Sequence, residues 1–274
     1  MASITSAKAQ PKPRHSFFQG RGFLTLILVV AVLWSLASVN WVEDVVHPGG
    51  WSAIGQLVKA ALTPELSASF LRLGVESAWQ TVAYAVAGMC LALAIGFPLG
   101  VLASGALARS RGARWASAGG FRFTLGFLRS IHELVWAWLF VVALGLSPMA
   151  AVLALGIPYG GILGRIYADI LNDVPEQPLR ALRSSGASEW KVLLFGRLPM
   201  AMPDMLSYSF YRFECALRSA AIMGFVGVGG LGLQIQLSLG DLRYEEVWTL
   251  LYFLIAIITL VDGWSAWVRR SMTR

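Results

Sequence analysis

Charge is what this chain has least of. Only 14% of its 274 residues are Asp, Glu, Lys or Arg, while 57% are hydrophobic. Soluble domains carry about 25% charged residues. Length alone would allow one or two soluble domains, but so thin a charged complement excludes them and leaves a polytopic membrane protein. Cysteine is nearly absent: Cys90 and Cys215, both inside apolar runs, make neither a disulfide framework nor a metal site. No Gly-Lys-Ser or Gly-Lys-Thr occurs, so the chain lacks a phosphate loop for ATP. No His, Cys and acid set has metal-ligand spacing, and no nucleophile stands with a base. The sequence therefore offers no enzyme active site, no metal and no cofactor bound by this chain.

What is there is a series of apolar runs separated by short polar intervals. Residues 1–22 form a polar, basic tail with Lys8, Lys12, Arg14 and Arg21. An apolar run follows over 23–39. Leu36-Ala37-Ser38 resembles a signal-peptide cleavage site, but the run is long for a signal core, and a retained first transmembrane helix is expected. Residues 40–74 read as a mixed-charge external segment, partly helical, with Pro48-Gly49-Gly50 as a turn. Five further crossings are expected at Val75–Ser104, Gly119–Gly145, Met149–Ile170, Pro203–Phe225 and Val247–Trp267, making a transmembrane core over 75–267. A basic tail, 268–274, ends the chain. The fold class is all-α, with six transmembrane helices.

The net charge of +7 comes from 22 basic against 15 acidic residues. In a soluble protein it would suggest nucleic acid. Here the basic residues fall mainly in the N-terminal tail, the 105–118 loop (Arg109, Arg111, Arg114), the 171–200 interval and the C-terminal tail. These are alternate, same-side segments of a six-helix chain, so both termini and the 171–200 interval are expected in the cytoplasm of an inner membrane. Trp41, Trp51, Trp248 and Trp267 fall near the expected interfaces, whereas Trp136 and Trp138 read as packing residues.

Ionisable residues inside apolar runs mark substrate paths or inter-helix locks. One cluster is Arg129, His132 and Glu133 in the third run; the other is Arg212, Glu214 and Arg218 in the fifth. On continuous helices Arg129–Glu133 and Glu214–Arg218, each four apart, would pair on one face. Arg212 has no acid three or four residues away. With His132 neutral the clusters sum to three positive and two negative charges, a surplus of one. A mildly positive path suits an anion and is weak enough to release it. Gly227, Gly229 and Gly230, within GFVGVGGLG, lack a preceding strand and a following acid, so they read as close packing or as a broken helix beside the path.

The polar interval between the fourth and fifth crossings contains RALRSSGASEWKVLLFGRLP, Arg180 to Pro199. It resembles the cytoplasmic coupling loop of ATP-binding-cassette importer permeases, whose pattern is Glu-Ala-Ala, three residues, Gly, nine residues, Ile, one residue, Leu-Pro. Ala181, Gly186, Leu198 and Pro199 match; Arg180, Leu182 and Gly196 replace Glu, Ala and Ile. RSIHELVWAWLFVVALGLSP, SYSFYRFECALRSA and GFVGVGGLG resemble the phosphonate/phosphite-type branch of that family. The likeness covers most of residues 75–266.

The resemblance implies a type I permease subunit, expected as a homodimer. Two cytoplasmic ATPase subunits would bind ATP and Mg, and a periplasmic or lipid-anchored binding protein would deliver the substrate. It implies coupling through Ala181, Ser185, Gly186, Ala187, Glu189, Leu198 and Pro199. It also implies a phosphorus oxyanion as substrate: phosphonate, phosphite, hypophosphite or phosphate. A permease of this kind for another solute, such as an amino acid, and an ATP-independent secondary transporter are the competing readings.

Overall fold

The computed structural model describes residues 21–38, 49–108 and 110–272. Expectations resting on Lys8, Lys12, Arg14, Trp41, Pro48 and Arg109 lie outside these residues. Among the described residues every regular element is helical, as the apolar runs predict. The chain divides into two compact units, Met1–Gly55 and Gln56–Arg274.

In the first unit, α1 (Arg21–Ala37) is an apolar helix of 17 residues. At 1.5 Å per residue it is about 25 Å long, at the short end of what spans a bilayer. The unit boundary falls within α2 (Gly50–Ala60).

The second unit is built on α3 (Ala68–Ser104) and α6 (Pro148–Asp173). Each, like α11 (Tyr244–Met272), is long and apolar enough to cross a membrane alone. α3 has 37 residues, about 55 Å, and starts before the expected Val75, so it extends well beyond a hydrocarbon core of about 30 Å. α3 and α6 approach so closely that side chains are excluded. A Cβ on Gly96 would lie 2.9 Å from the Gly160 carbonyl oxygen, and one on Gly100 would lie 2.8 Å from that of Gly164. Lipid gives helices no hydrophobic reason to associate, so this small-residue contact is what lets van der Waals packing hold the pair.

The third expected crossing is not one helix. α4 (Arg111–Ser130) ends before Ile131, and α5 (Glu133–Leu144) starts after His132, with an 81° bend between them. Ile131 and His132 are extended, and His132 caps α5: its Nδ1 accepts the Leu134 N–H at 3.3 Å. Glu133 in the first turn adds a favourable charge at the helix N-terminus. α4 lies against α6, with Leu125 and Leu128 beside Gly164 and Gly161. Ser117 donates to the Leu102 carbonyl at 2.8 Å, and Arg122 pairs with Asp169 at 3.1 Å.

After α6 the chain forms α7 (Glu176–Ser184), α8 (Glu189–Val192) and a π-helical turn over Leu193–Arg197 that runs straight into α9 (Leu198–Met223). A 3₁₀ turn, Gly224–Val226, and the glycine loop lead to α10 (Leu231–Gly240), bent 45° from the preceding helix. Three helices are thus long and apolar enough to cross singly, and taking each bent pair as one span gives up to five crossings among the described residues, with the short α1 in addition.

The close approach of α3 and α6 makes a direct prediction. Gly96→Leu must force the two helices apart or shift their backbones, an overpacking cost of about 3 kcal/mol or more. It should sharply lower the thermal midpoint of the detergent-solubilised protein. Gly119→Ala, where a Cβ meets nothing within 4 Å, should leave the midpoint unchanged or raise it slightly.

Candidate functional site: the polar face of α9 and the loop before it

α9 carries two opposed polar faces. Glu214 and Arg218 lie about 200° and 240° round the helix from Arg212, at 100° per residue. They do not pair with each other. Glu214 Oε1 accepts from Arg269 Nη1, which also donates to Ser265 Oγ at 2.6 Å. Arg218 faces Asp262 at 4.0 Å. Both partners come from α11, so this face locks two helices together and the expected Glu214–Arg218 pair is corrected. The physical reason is direction: both side chains point at a neighbouring helix that brings its own opposite charges. Asp262, a lone acid in the last apolar run, was the available signal and was passed over.

The other face carries Tyr208, Arg212, Cys215 and Ser219. Arg212 Nε donates to Tyr208 Oη at 2.8 Å, and the guanidinium lies 5.3 and 5.6 Å from the ring centroids of Tyr208 and Tyr211. Stacking on aromatic faces stabilises the cation without neutralising it. No carboxylate pairs with Arg212 among the described residues, as its spacing implies.

Next to it, Ser219 donates to Glu133 Oε1 at 2.7 Å and lies 3.0 Å from Tyr159 Oη. Ser219 has one proton, so Tyr159 is the donor in the second bond. A second rung of this kind lies further along the antiparallel pair: Ser209 donates to the Met205 carbonyl, leaving Tyr167 as donor to Ser209 at 2.5 Å. The sequence reading missed all four of these hydroxyls, because nothing in one helix says which residue of another it will meet.

The break at Ile131–His132 changes the first cluster. Arg129 and Glu133 lie on different helices, so they do not share a face; Arg129 is exposed and has no ion-pair partner among the described residues, and Glu133 turns to Ser219 and to His132 at 3.7 Å. With Glu214 and Arg218 assigned to α11, Arg129 and Arg212 against Glu133 still leave one positive charge, from a different set of residues than expected.

The glycine loop is clamped to α3. Gln80 Oε1 accepts the Gly230 N–H at 3.1 Å, Thr81 Oγ1 accepts that of Leu231 at 2.9 Å, and Tyr84 Oη donates to the Val228 carbonyl at 3.1 Å. Gly227, Gly229 and Gly230 have φ of 89°, 102° and 79°, where a side chain is strained. These observed contacts are packing contacts.

The loop before α9 is a folded hairpin. α7 ends in a Schellman motif: Ala187 N–H reaches the Leu182 carbonyl at 3.1 Å and Gly186 N–H that of Arg183 at 3.0 Å, with Gly186 at φ +85°. Ala181 supplies the carbonyl for Ser185 N–H, and Ser188 begins the second segment. Arg183 forks onto Glu189 at 3.1 and 3.3 Å and also reaches Glu176 at 3.1 Å. These bonds, that to Glu189 foremost, hold its guanidinium above the ordinary arginine range. Arg197, nearly buried, donates to the Leu171 carbonyl at 3.2 Å and to Asn172 and Glu176 at 3.4 Å. It ties the π turn to the end of α6. Leu198 and Pro199 form the first turn of α9.

The model of the family described as "binding-protein-dependent transport system inner membrane component" matches residues 96–274. The phosphite transport system permease protein PtxC of Stutzerimonas stutzeri is 33% identical over 221 residues, covering 81% of this chain and 78% of that protein. The phosphate-import permease protein PhnE of Mycolicibacterium smegmatis is 32% identical over 207 residues, 74% of this chain but 38% of that protein. Among solved structures, the MetNI methionine ABC transporter in an inward facing conformation aligns at TM-score 0.68 and 24% identity, over 76% of this chain and 100% of the matched chain. That likeness establishes the fold, a type I importer permease architecture.

Two of the loop's departures from the coupling pattern meet in space. A Cβ on Gly196 would lie 2.7 Å from Leu182 Cδ1 and 3.0 Å from Leu179 Cδ2. Where the pattern has a small residue first and a large one later, this loop has the reverse, so Leu182 fills the volume that Gly196 leaves. Leu182→Ala should cost about 2 kcal/mol by cavity formation, and Gly196→Ile should cost a similar amount by overpacking. The double variant should recover most of both losses. Thermal unfolding of the four proteins measures the coupling, and strict additivity would refute the exchange.

Proposed function

This chain belongs to the family of binding-protein-dependent transport system inner membrane components, and we propose that it conducts a phosphorus oxyanion inward as the permease subunit of an ATP-driven importer. As a permease of this family it is a multi-pass inner-membrane protein and not itself an enzyme; the ATPase and the binding protein are separate chains. The observation that carries the substrate class is sequence identity of 32–33%, across 74–81% of this chain, with permeases named for phosphite and phosphate. The methionine transporter is similar in fold only and says nothing about the solute.

In this reading two copies form the translocation path, α1 supplies a sixth crossing, and both termini and the 171–200 interval face the cytoplasm. One ATPase subunit docks on each loop and binds ATP and Mg there; this chain holds no cofactor and binds no nucleic acid. A periplasmic or lipid-anchored protein delivers the oxyanion from outside. Alternating access exposes the polar face of α9 to each side in turn.

Arg212 is the residue we assign to the substrate. Its guanidinium is held by two tyrosines rather than by a carboxylate, so its charge and remaining N–H donors are free for an oxyanion. Arg129 and His132 sit at the helix break on the same route. Glu133, bonded to Ser219, keeps the surplus to one positive charge and so favours release. Gly227, Gly229 and Gly230 shape the end of the route by holding the α9–α10 bend. Glu214 and Arg218 contribute by locking α9 to α11.

Arg212→Glu should cut phosphite, phosphonate and phosphate uptake by about ten- to a hundredfold, the worth of one charge-assisted hydrogen bond, while the assembled complex still hydrolyses ATP. Intact uptake would remove Arg212 from the path. Gly186→Val strains the left-handed turn by about 1–2 kcal/mol with open space around it. The protein should insert normally but hydrolyse ATP without transporting, as read by the ratio of phosphate released to substrate moved in proteoliposomes.

A further inference from the structure

We infer that the loop docks on its ATPase through an outward positive charge, carried by Arg180 and Lys191, that requires an acidic docking cleft on the ATPase subunit. The inference rests on the reading of residues 171–200 as the ATPase-docking loop.

Between Glu176 and Pro199 the loop has four basic residues, Arg180, Arg183, Lys191 and Arg197, and two acids, Glu176 and Glu189. Both acids are paired within the hairpin. Glu189 takes the fork of Arg183, and Glu176 is shared between Arg183 and the nearly buried Arg197. The hairpin thus neutralises its own acids with two of its four cations. Arg180 and Lys191 remain, both exposed, neither in an ion pair with a described residue. The surface presented by α7 and α8 is therefore net positive by two charges, and the exposed Asp173 at the end of α6 is the one acid of the 171–200 interval outside the hairpin.

The same surface is apolar where a free loop would not be. Trp190 is 67% exposed and Phe195 is 70% exposed. Exposed aromatics beside unpaired cations have the make-up of a protein interface: rings that anchor, with charges at the rim that steer and select. Phe195 borders an apolar groove with Pro178, Ala181 and Pro199, and Trp190 borders a separate one with Leu194 and Leu198; each is suited to a protein side chain.

Charge sign adds selectivity. The coupling pattern that this loop resembles has Glu where Arg180 stands. A cleft shaped around a carboxylate at that position offers a cation or a donor, and would repel Arg180. A cleft that accepts this loop must offer the opposite sign. Like charges brought together at an interface cost several kcal/mol, which makes Arg180 a discriminator among the ATPases of a cell with several importers, by repulsion as much as by attraction.

The test uses the permease expressed with the ATP-binding-cassette subunit of its own importer and reconstituted in discs of uncharged lipid. ATPase binding is measured as a function of NaCl. The wild type and an Arg180→Lys/Lys191→Arg variant should bind with a steep salt dependence. Arg180→Glu/Lys191→Glu should bind about tenfold more weakly with that dependence lost or reversed, and Lys substituted for an acid in the ATPase cleft should restore it. Neutral Arg180→Gln gives the same information through a reduced salt slope if reversal at both positions lowers the thermal midpoint.

Unchanged binding and salt slope in the reversed variant overturn the proposal. So does an effect confined to discs containing anionic lipid, which would assign the two cations to the membrane surface. Trp190→Ala/Phe195→Ala separates the two readings. If it releases the ATPase while charge reversal does not, the loop docks but not by charge. If neither releases it, the docking reading itself fails.

Discussion

The close contact between α3 and α6 is the constraint on which the rest of this structure depends. Two backbones meet where Gly96 and Gly100 face Gly160 and Gly164, and that contact needs no water to drive it. Each functional element is then hung on one of the two helices. α3 clamps the glycine loop through Gln80, Thr81 and Tyr84. α6 holds α9 through Tyr159 and Tyr167, supports α4 through Asp169, and anchors the hairpin before α9 at the Leu171 carbonyl. The polar face of α9 and the hairpin before it therefore share one frame.

Much of that frame was legible in the residues. Five apolar runs of the expected length correspond to α3, the α4–α5 pair, α6, α9 and α11, and the polar interval before α9 folds as a helix, a glycine turn and a second helical piece. The break at Ile131–His132 was not legible as a break, because no glycine or proline marks it and the charged residues around it read as one cluster on a single helix. A histidine that caps a helix looks, in sequence, like one more ionisable residue in a membrane segment. Pairing by sequence spacing failed for Arg129–Glu133 and Glu214–Arg218 for a related reason. The four-residue rule describes what one helix can do by itself, whereas in lipid the strongest demand on a charge is to find any partner within reach. Arg269 and Asp262, some 45–55 positions along the chain from the residues they meet, satisfied it first.

The hydroxyl rungs between α6 and α9 show the other side of that logic. Both are Tyr–Ser pairs in which the tyrosine must be the donor, since each serine proton is already committed. They leave Arg212 between them as a cation supported by aromatic rings. A lock would have matched it with a carboxylate, as the opposite face of α9 does. The two faces of this helix thus differ in how their cations are held, and residue type alone does not reveal it.

The π turn at Leu193–Arg197 carries one residue more than an α turn would over the same rise, and such turns mark functional sites more often than chance. It lies between the hairpin that Arg197 pins to α6 and the helix that carries Arg212. Its extra residue sets the rotational phase of α9. Were the turn to tighten into α form, α9 would rotate by about 100° relative to the hairpin, and Arg212 with it. The spare residue is thus a vernier between the pinned hairpin and the polar face of α9.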